Sequence, residues 1–258
     1  MIAIIDYDAG NLTSVARALT HLGYENEITA VPETILAADQ VIFPGVGAAK
    51  ATMETLRQRG LDEVLTDVYR RGTPMLGICI GIQILFQHSD EEDTECLGFL
   101  PGHVKKFPTS NAREMASFST HSTENRDIDN VDIGDMERDG LPPGTVIERL
   151  ANNKNANNKN ANNKVPQIGW NEVYQVQSHP IFEGIPNPAH FYFVNSYYPV
   201  PATEEAVIGK TTYGLEFCSA LAHENLIATQ FHLEKSGRVG LKMLRNFVSR
   251  CSLETTKR

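Results

Sequence analysis

The pentapeptide Gly77-Ile78-Cys79-Ile80-Gly81 constrains this chain more than any other stretch. The apolar run at 74–78 is too short for a helix and reads as a buried strand. The pattern over 80–87 is helical, so Cys79 falls on a strand-to-helix turn. Glycines on either side permit the tight backbone approach that such a turn needs. The arrangement is the cysteine counterpart of the G-x-S-x-G nucleophile elbow, which lifts the reactive atom clear of the strand end. A helix starting at Ile80 also aims its unbonded N–H groups and positive dipole end toward the sulfur, where negative charge is favoured. A buried structural cysteine fits the same five residues, because a free Cys packs as a small apolar side chain. The remaining sequence has to decide between the two.

With 258 residues, 41% of them hydrophobic, the chain can bury a full core as one large α/β domain or as one domain carrying an insertion. Its formal charge of -9 comes without any Lys/Arg cluster, which argues against nucleic acid as the main partner and for a small substrate or a protein. Cys79, Cys96, Cys218 and Cys251 lie far apart with no C-x-x-C spacing, so the sequence indicates neither a zinc site nor a disulfide framework, and a reducing cytoplasm is expected. The apolar start is interrupted at Asp6, and no later run has the length of a membrane span or a signal segment.

Read in order, residues 2–5 form a short buried strand, and Asp8-Ala9-Gly10-Asn11 turns it into a helix. Leu12, Val15, Leu19 and Leu22 keep helical spacing there, and Gly23 closes the helix. A strand at 27–29, a short helix opened by Pro32 and a strand at 41–43 complete a β-α-β-α-β alternation, the signature of a parallel sheet covered by helices. The third strand runs into Pro44-Gly45-Val46-Gly47-Ala48-Ala49, a glycine loop at a strand's carboxyl end, where open sheets bind ligands. It has neither a Walker pattern nor G-x-G-x-x-G, so backbone N–H donors for an oxyanion fit better than a phosphate cradle. Helices over 50–59 and 61–70 precede the Cys79 elbow, and 98–107 reads as a strand.

Residues 109–164 then interrupt the pattern: 109–139 is rich in Ser, Thr, Asn and Asp, and 151–164 repeats Ala-Asn-Asn-Lys-Asn with a period of five. Such a tract offers no core, and the expectation is a loosely held surface insertion within a single domain spanning 1–258. Order resumes at Val165, followed by short strands at hairpin spacing over 190–197, 206–212, 218–222 and 226–231. This half is expected to be antiparallel. The last strand delivers His232 with Glu234 two residues on, and a helix over 236–250 ends the chain. His232 and Glu234 can thus reach each other, although a His at a strand end is more often structural.

A cysteine on an elbow, a downstream His with its own carboxylate and a glycine loop together resemble the apparatus of the class I glutamine amidotransferases. Within that family the chain is similar to the glutaminase subunits of imidazole glycerol phosphate synthase. The blocks that carry this likeness are 1–12, 43–47, Gly77-Ile-Cys79-Ile-Gly81-Ile-Gln83, Gly169-Trp170-Asn171-Glu172-Val173, 191–194 and Gln230-Phe231-His232-Leu233-Glu234-Lys235-Ser236-Gly237, in the same order. The resemblance implies an open, mostly parallel, flavodoxin-like sheet with an antiparallel extension, and a Cys79-His232-Glu234 triad. It implies oxyanion donors at Val46, Gly47 and Ile80, and glutamine contacts from Gly47, Gln83, Ser196 and Tyr197. Asn11, Trp170, Tyr192 and Lys235 match interface positions for a (β/α)8-barrel cyclase subunit, and neither a metal nor an organic cofactor is implied. Three positions depart from the family: Leu233 stands where Pro is usual, and Asn195 and Gln167 stand where His is usual. A glutaminase serving another ammonia-using synthase, or a catalytically weakened scaffold, fits the same motifs.

Overall fold

The computed structural model describes residues 1–108 and 164–251, and the insertion expected at 109–164 lies outside them but for its last residue. Strand β1 (Ile2–Ile5), helix α1 (Leu12–His21), β2 (Asn26–Thr29), α2 (Pro32–Ala37), β3 (Gln40–Gly45), α3 (Ala49–Arg59), α4 (Leu61–Arg70) and β4 (Met75–Cys79) give the expected alternation. Next come α5 (Ile80–Gln83), β5 (His88–Ser89), β6 (Thr94–Glu95) and β7 (Gly102–Lys106). The second part holds β8 (Gln167–Gln175), β9 (Ala189–Asn195), β10 (Tyr197–Pro201), β11 (Val207–Tyr213), β12 (Leu215–His223), β13 (Leu226–Thr229) and α6 (Gly237–Asn246).

The main sheet runs β2-β1-β3-β4-β13-β12-β11-β8-β9, and a smaller one runs β10-β7-β5-β6. The core strands are buried on both faces, which is why they read as continuous apolar runs. Ile2, Ile4, Ile42, Leu76 and Ile78 face α1 and α6, whereas Ala3, Ile5, Val41, Phe43 and Met75 face α2, α3 and α4. The open sheet, parallel in its core and antiparallel beyond, is the one expected.

Four boundaries differ from the sequence reading, each for a tertiary reason; the strand expected over 98–107 begins only at Gly102, because the N–H groups of Gly98 and Leu100 bond the carbonyls of Phe86 and Leu85 instead. Strand β13 pairs antiparallel with β12 but parallel with β4, so the parallel core extends one strand further than hairpin spacing implied. Helix α5 stops at Gln83 because the carbonyls of Ile84, Phe86 and Leu85 accept from the returning segment, at Leu97, Gly98 and Leu100. The strand expected over 190–197 breaks at Ser196, where the chain passes to the second sheet as β10, paired with β7.

This topology sets the site. Gly45 at the end of β3 is level with Cys79 at the end of β4, and Thr229 of β13 is level with Ile78. Three parallel neighbours therefore deliver the glycine loop, the cysteine and His232 at one edge, outside the strands' carboxyl ends.

Candidate active site

Cys79 takes φ 58° and ψ -102°, a region that a non-glycine residue occupies at a cost of about 1–3 kcal/mol. Packing holds it there. A Cβ on Gly81 would stand 2.3 Å from the Phe43 carbonyl oxygen, and one on Gly77 would stand 2.9 Å from the Gly81 carbonyl oxygen. A Cβ on Gly45 would stand 1.8 Å from the Tyr7 hydroxyl and 1.9 Å from Ile80 Cγ2. The flanking glycines thus let the two strand ends and the first turn of α5 close on one another, which is what the elbow reading required. Cys79 Sγ lies 3.7 Å from the Val194 carbonyl and 3.7 Å from Gln230 Nε2. Burial, and next the nearby Cys79 sulfur, push the Tyr7 hydroxyl well above the ordinary tyrosine range.

His232 Nδ1 is 2.8 Å from Glu234 Oε1, leaving Nε2 for the sulfur, with which the ring also interacts. Both side chains are only 1% exposed. Burial alone would depress the imidazole, but the Cys79 and Glu234 charges beside it outweigh burial and raise it to about 10. Burial likewise works against the Glu234 carboxylate, and the His232 charge with its hydrogen bonds holds it below the usual carboxyl value. Asn11 Nδ2 donates to the same Oε1 at 3.0 Å. The main chain of His232 is fixed to β9: its N–H donates to the Tyr192 carbonyl at 2.9 Å, Tyr192 N–H donates to Ser236 Oγ at 2.9 Å, and that hydroxyl donates back to the His232 carbonyl. Leu233, in the position where Pro is usual, is buried within the short turn Leu233–Lys235 that follows.

The glycine loop is built differently. Gly47 has φ +114° with no atom of the described residues within 4 Å of where a Cβ would be, and Val46 is 38% exposed. Beyond it the Ala49 N–H donates to Glu91 Oε2 at 2.6 Å. Ile80 follows Cys79 directly, so its N–H lies at the turn. Of the residues expected to hold glutamine, Gln83 is buried and donates from Nε2 to the Tyr197 carbonyl at 3.3 Å and to Gln230 Oε1 at 3.1 Å. The Ser196 carbonyl accepts from Phe107 N–H at 3.0 Å, which fixes the chain passing between the two sheets.

Of the expected interface positions, Trp170 and Tyr192 are cross-strand partners in an edge-to-face contact with centroids 6.1 Å apart. Exposed Ile168 and Val194, also partners, extend the same face, and half-buried Lys235 lies at the end of the Leu233–Lys235 turn. Asn11 differs in being buried, with its Nδ2 donating to Glu234. Gln167 and Asn195 are directly opposed on β8 and β9 but point inward, with Gln167 Oε1 and Asn195 Oδ1 buried and without a partner among the described residues.

Two site residues were missed by sequence reasoning. Gln230 opens the block that carries His232, and its buried amide touches the sulfur; its place two residues before His232, just past the end of β13 beside β4, was the available signal. Glu91 lies in an acidic run that looks like solvated surface, and only the fold carries it to the start of α3.

A cysteine on a strained elbow with a buried His-carboxylate pair beside it is the arrangement of a cysteine-dependent amidohydrolase. Residues 3–251 match the family model described as "Glutamine amidotransferase class-I". The chain is 43% identical to the imidazole glycerol phosphate synthase subunit HisH of Dehalococcoides mccartyi, over 96% of each chain. It is also 43% identical to the HisH of Nitratidesulfovibrio vulgaris, over 97% of each. Its fold is similar to that of a glutamine amidotransferase from Thermotoga maritima, with a TM-score of 0.57 at 12% identity over 97% of each chain. The chain belongs to the class I glutamine amidotransferase family, among the HisH subunits of imidazole glycerol phosphate synthase.

Proposed function

We infer that this chain hydrolyses glutamine to glutamate and ammonia, and that the ammonia passes to a (β/α)8-barrel cyclase subunit. That subunit forms imidazole glycerol phosphate and an aminoimidazole carboxamide ribotide in histidine biosynthesis. The observation that carries this reading is the convergence of the Cys79 elbow with the buried His232–Glu234 pair.

In the reaction, the Cys79 thiolate attacks the side-chain amide carbon of glutamine. The oxyanion that develops takes N–H bonds from Ile80 and from the Val46-Gly47 turn, each such donor being typically worth about 2.7–4 kcal/mol. His232, protonated at neutral pH, gives its proton to the departing nitrogen; ammonia leaves and a glutamyl thioester remains. The neutral imidazole then takes a proton from water, which attacks the thioester carbon. Collapse expels the Cys79 thiolate and frees glutamate. Glu234 holds the imidazole in its working orientation, and Asn11 holds Glu234.

Gly47, Gln83 and the main chain at Ser196 and Tyr197 contact the substrate's polar end. The Trp170–Tyr192 face, with Ile168, Val194 and Lys235 around it, is the docking surface for the cyclase, and its exposed apolar side chains support that role. The chain acts as one domain in the cytoplasm, with 109–164 as an insertion that leaves the chemistry intact; among the described residues no helix is long and apolar enough to cross a membrane. The test is Cys79→Ala in the reconstituted complex. Glutamine-dependent synthesis should vanish while synthesis from free ammonium persists, and loss of both would make Cys79 a structural residue.

A further inference from the structure

The carboxamides behind Cys79 form a chain whose direction is fixed at one end. The Tyr197 carbonyl can only accept, and it receives Asn195 Nδ2 at 2.9 Å and Gln83 Nε2 at 3.3 Å. The second hydrogen of Gln83 Nε2 points to Gln230, 3.1 Å away, so the Gln230 atom facing it is the oxygen. The nitrogen of Gln230 is therefore what faces Cys79 Sγ at 3.7 Å. Gln230 has no solvent exposure, so neither end of its amide meets bulk solvent.

The sulfur thus meets two groups that act in opposite senses. The Val194 carbonyl, 3.7 Å away, can accept a thiol proton but repels a thiolate, whereas the Gln230 N–H donates to sulfur and does so more strongly when the sulfur is charged. With both its N–H groups spent, Gln83 keeps only its oxygen for the substrate. A donor on the substrate that engages this oxygen polarises the Gln83 amide, strengthens its bond to Gln230, and through that amide strengthens the donation to sulfur.

We propose that Gln230 is a positioning residue that links substrate engagement at Gln83 to the nucleophile, through a Gln83–Gln230–Cys79 relay anchored on the Tyr197 carbonyl. This rests on Cys79 being the glutaminase nucleophile. The relay also explains what Asn195 does, since it shares the anchoring carbonyl: a different side chain there changes the anchor and leaves the triad itself untouched. Among the described residues the titratable groups facing the sulfur are His232 from the chain after β13, with Glu234 behind it, and Tyr7 beyond the end of β1. None of them replaces an N–H donor on the Gln230 side.

The test uses the complex with its cyclase and the variant Gln230→Met, which keeps length and burial but has no donor. The expected result is a fall in kcat for glutamine hydrolysis of about tenfold or more, with a smaller change in KM. The pH midpoint for alkylation of Cys79 by iodoacetamide should rise by about one unit, against unchanged synthesis from ammonium. An alkylation profile and kcat equal to wild type would overturn the proposal, as would a lower melting temperature with no shift in the midpoint. Should Gln230→Met fail to fold, Gln230→Glu keeps the shape and the acceptor for Gln83, and an unchanged alkylation midpoint there overturns the relay. Failure of the underlying reading is separate, because it appears as glutamine hydrolysis surviving Cys79→Ala.

Discussion

Strands β3 and β4 end side by side, yet the chain leaves them through two loops of opposite construction. At the Cys79 elbow every glycine is jammed: Gly45, Gly77 and Gly81 each lack the room for a single added carbon. One residue beyond the same Gly45, the loop opens. Val46 is exposed, and among the described residues nothing crowds the place where a Gly47 side chain would be. The first loop stores strain and holds it with backbone contacts that cannot slide. The second can turn its peptides at little steric cost. Under the roles proposed above, a hydrolase that must not waste glutamine gains from this division: the proposed nucleophile is set in advance while the proposed oxyanion donor remains free to be switched.

The largest effect should come from removing the elbow's glycines. In Gly81→Ala the new carbon meets the carbonyl oxygen of Phe43, a residue in β3 that is 2% exposed and has nowhere to move. A clash of that kind belongs with core substitutions costing about 4 kcal/mol or more, which for a chain of this size lowers the melting temperature by about 10 °C. Thermal unfolding and hydrolysis are the measurements. A variant with the wild-type melting curve and full activity would break the claim that the elbow has no slack.

The next effect is on the open loop and concerns coupling. Hydrolysis by the isolated chain should be very low and rise about a hundredfold or more with the cyclase and its ligand, the value of one oxyanion donor made or unmade. The ligand must favour the active turn by a differential free energy. Gly47→Ala sharpens the contrast with Gly81→Ala. Its new carbon meets no atom of the described residues, but φ +114° is strained for any L side chain, so the loop population moves while the melting temperature stays within about 2 °C. Equal rates for the chain alone, with cyclase and with cyclase plus ligand would show that the loop is as preset as the elbow.

The two loops also differ in how far they could be read from sequence. The elbow was legible because two glycines around a cysteine, between an apolar run and a helical pattern, carry its strain in local residue types. The His232–Glu234 pair was legible from spacing, and the core strands from apolar runs. What stayed hidden depends on contacts between distant segments. Nothing local in Asn11 says that its amide turns inward to Glu234, 223 residues away. The parallel pairing of β13 with β4, the early end of α5 and the approach of Gln230 to the sulfur are likewise set by which strand lies beside which.

A third effect tests the preset side by pH. His232 is raised in the folded protein to about 10 by its charged neighbours, against an unfolded value near 6.5. Its stabilising contribution is therefore complete below about pH 6.5 and is lost as pH rises toward 10. Melting curves of wild type and His232→Asn between pH 6 and pH 10 should converge as pH rises. A gap that stays constant over that window would mean that the imidazole is neutral in the resting site and that His232 acts first as a base.

The smallest effect is expected where the two constructions meet. The open loop has one rigid end at Gly45 and needs a second at Ala49, which Glu91 supplies by accepting the first N–H of α3 at 2.6 Å. Burial raises the Glu91 carboxyl above its ordinary value, and the Ala49 N–H works against that rise, so the contact takes part in holding the charge in place. Glu91→Ala removes an acceptor that functions as a helix cap, at a cost of about 1 kcal/mol, or about 2–4 °C in melting temperature. It should also blur the switch. With its far end released, the loop samples both turns in the isolated chain, and the ratio of activated to basal hydrolysis should fall a few-fold while alkylation of Cys79 proceeds at the wild-type rate. Glu91→Gln, which keeps an acceptor and loses the charge, should lie between the two. If Glu91→Ala slows alkylation as much as it lowers the activation ratio, the elbow and the loop are one mechanical unit, and the division of labour between them is wrong.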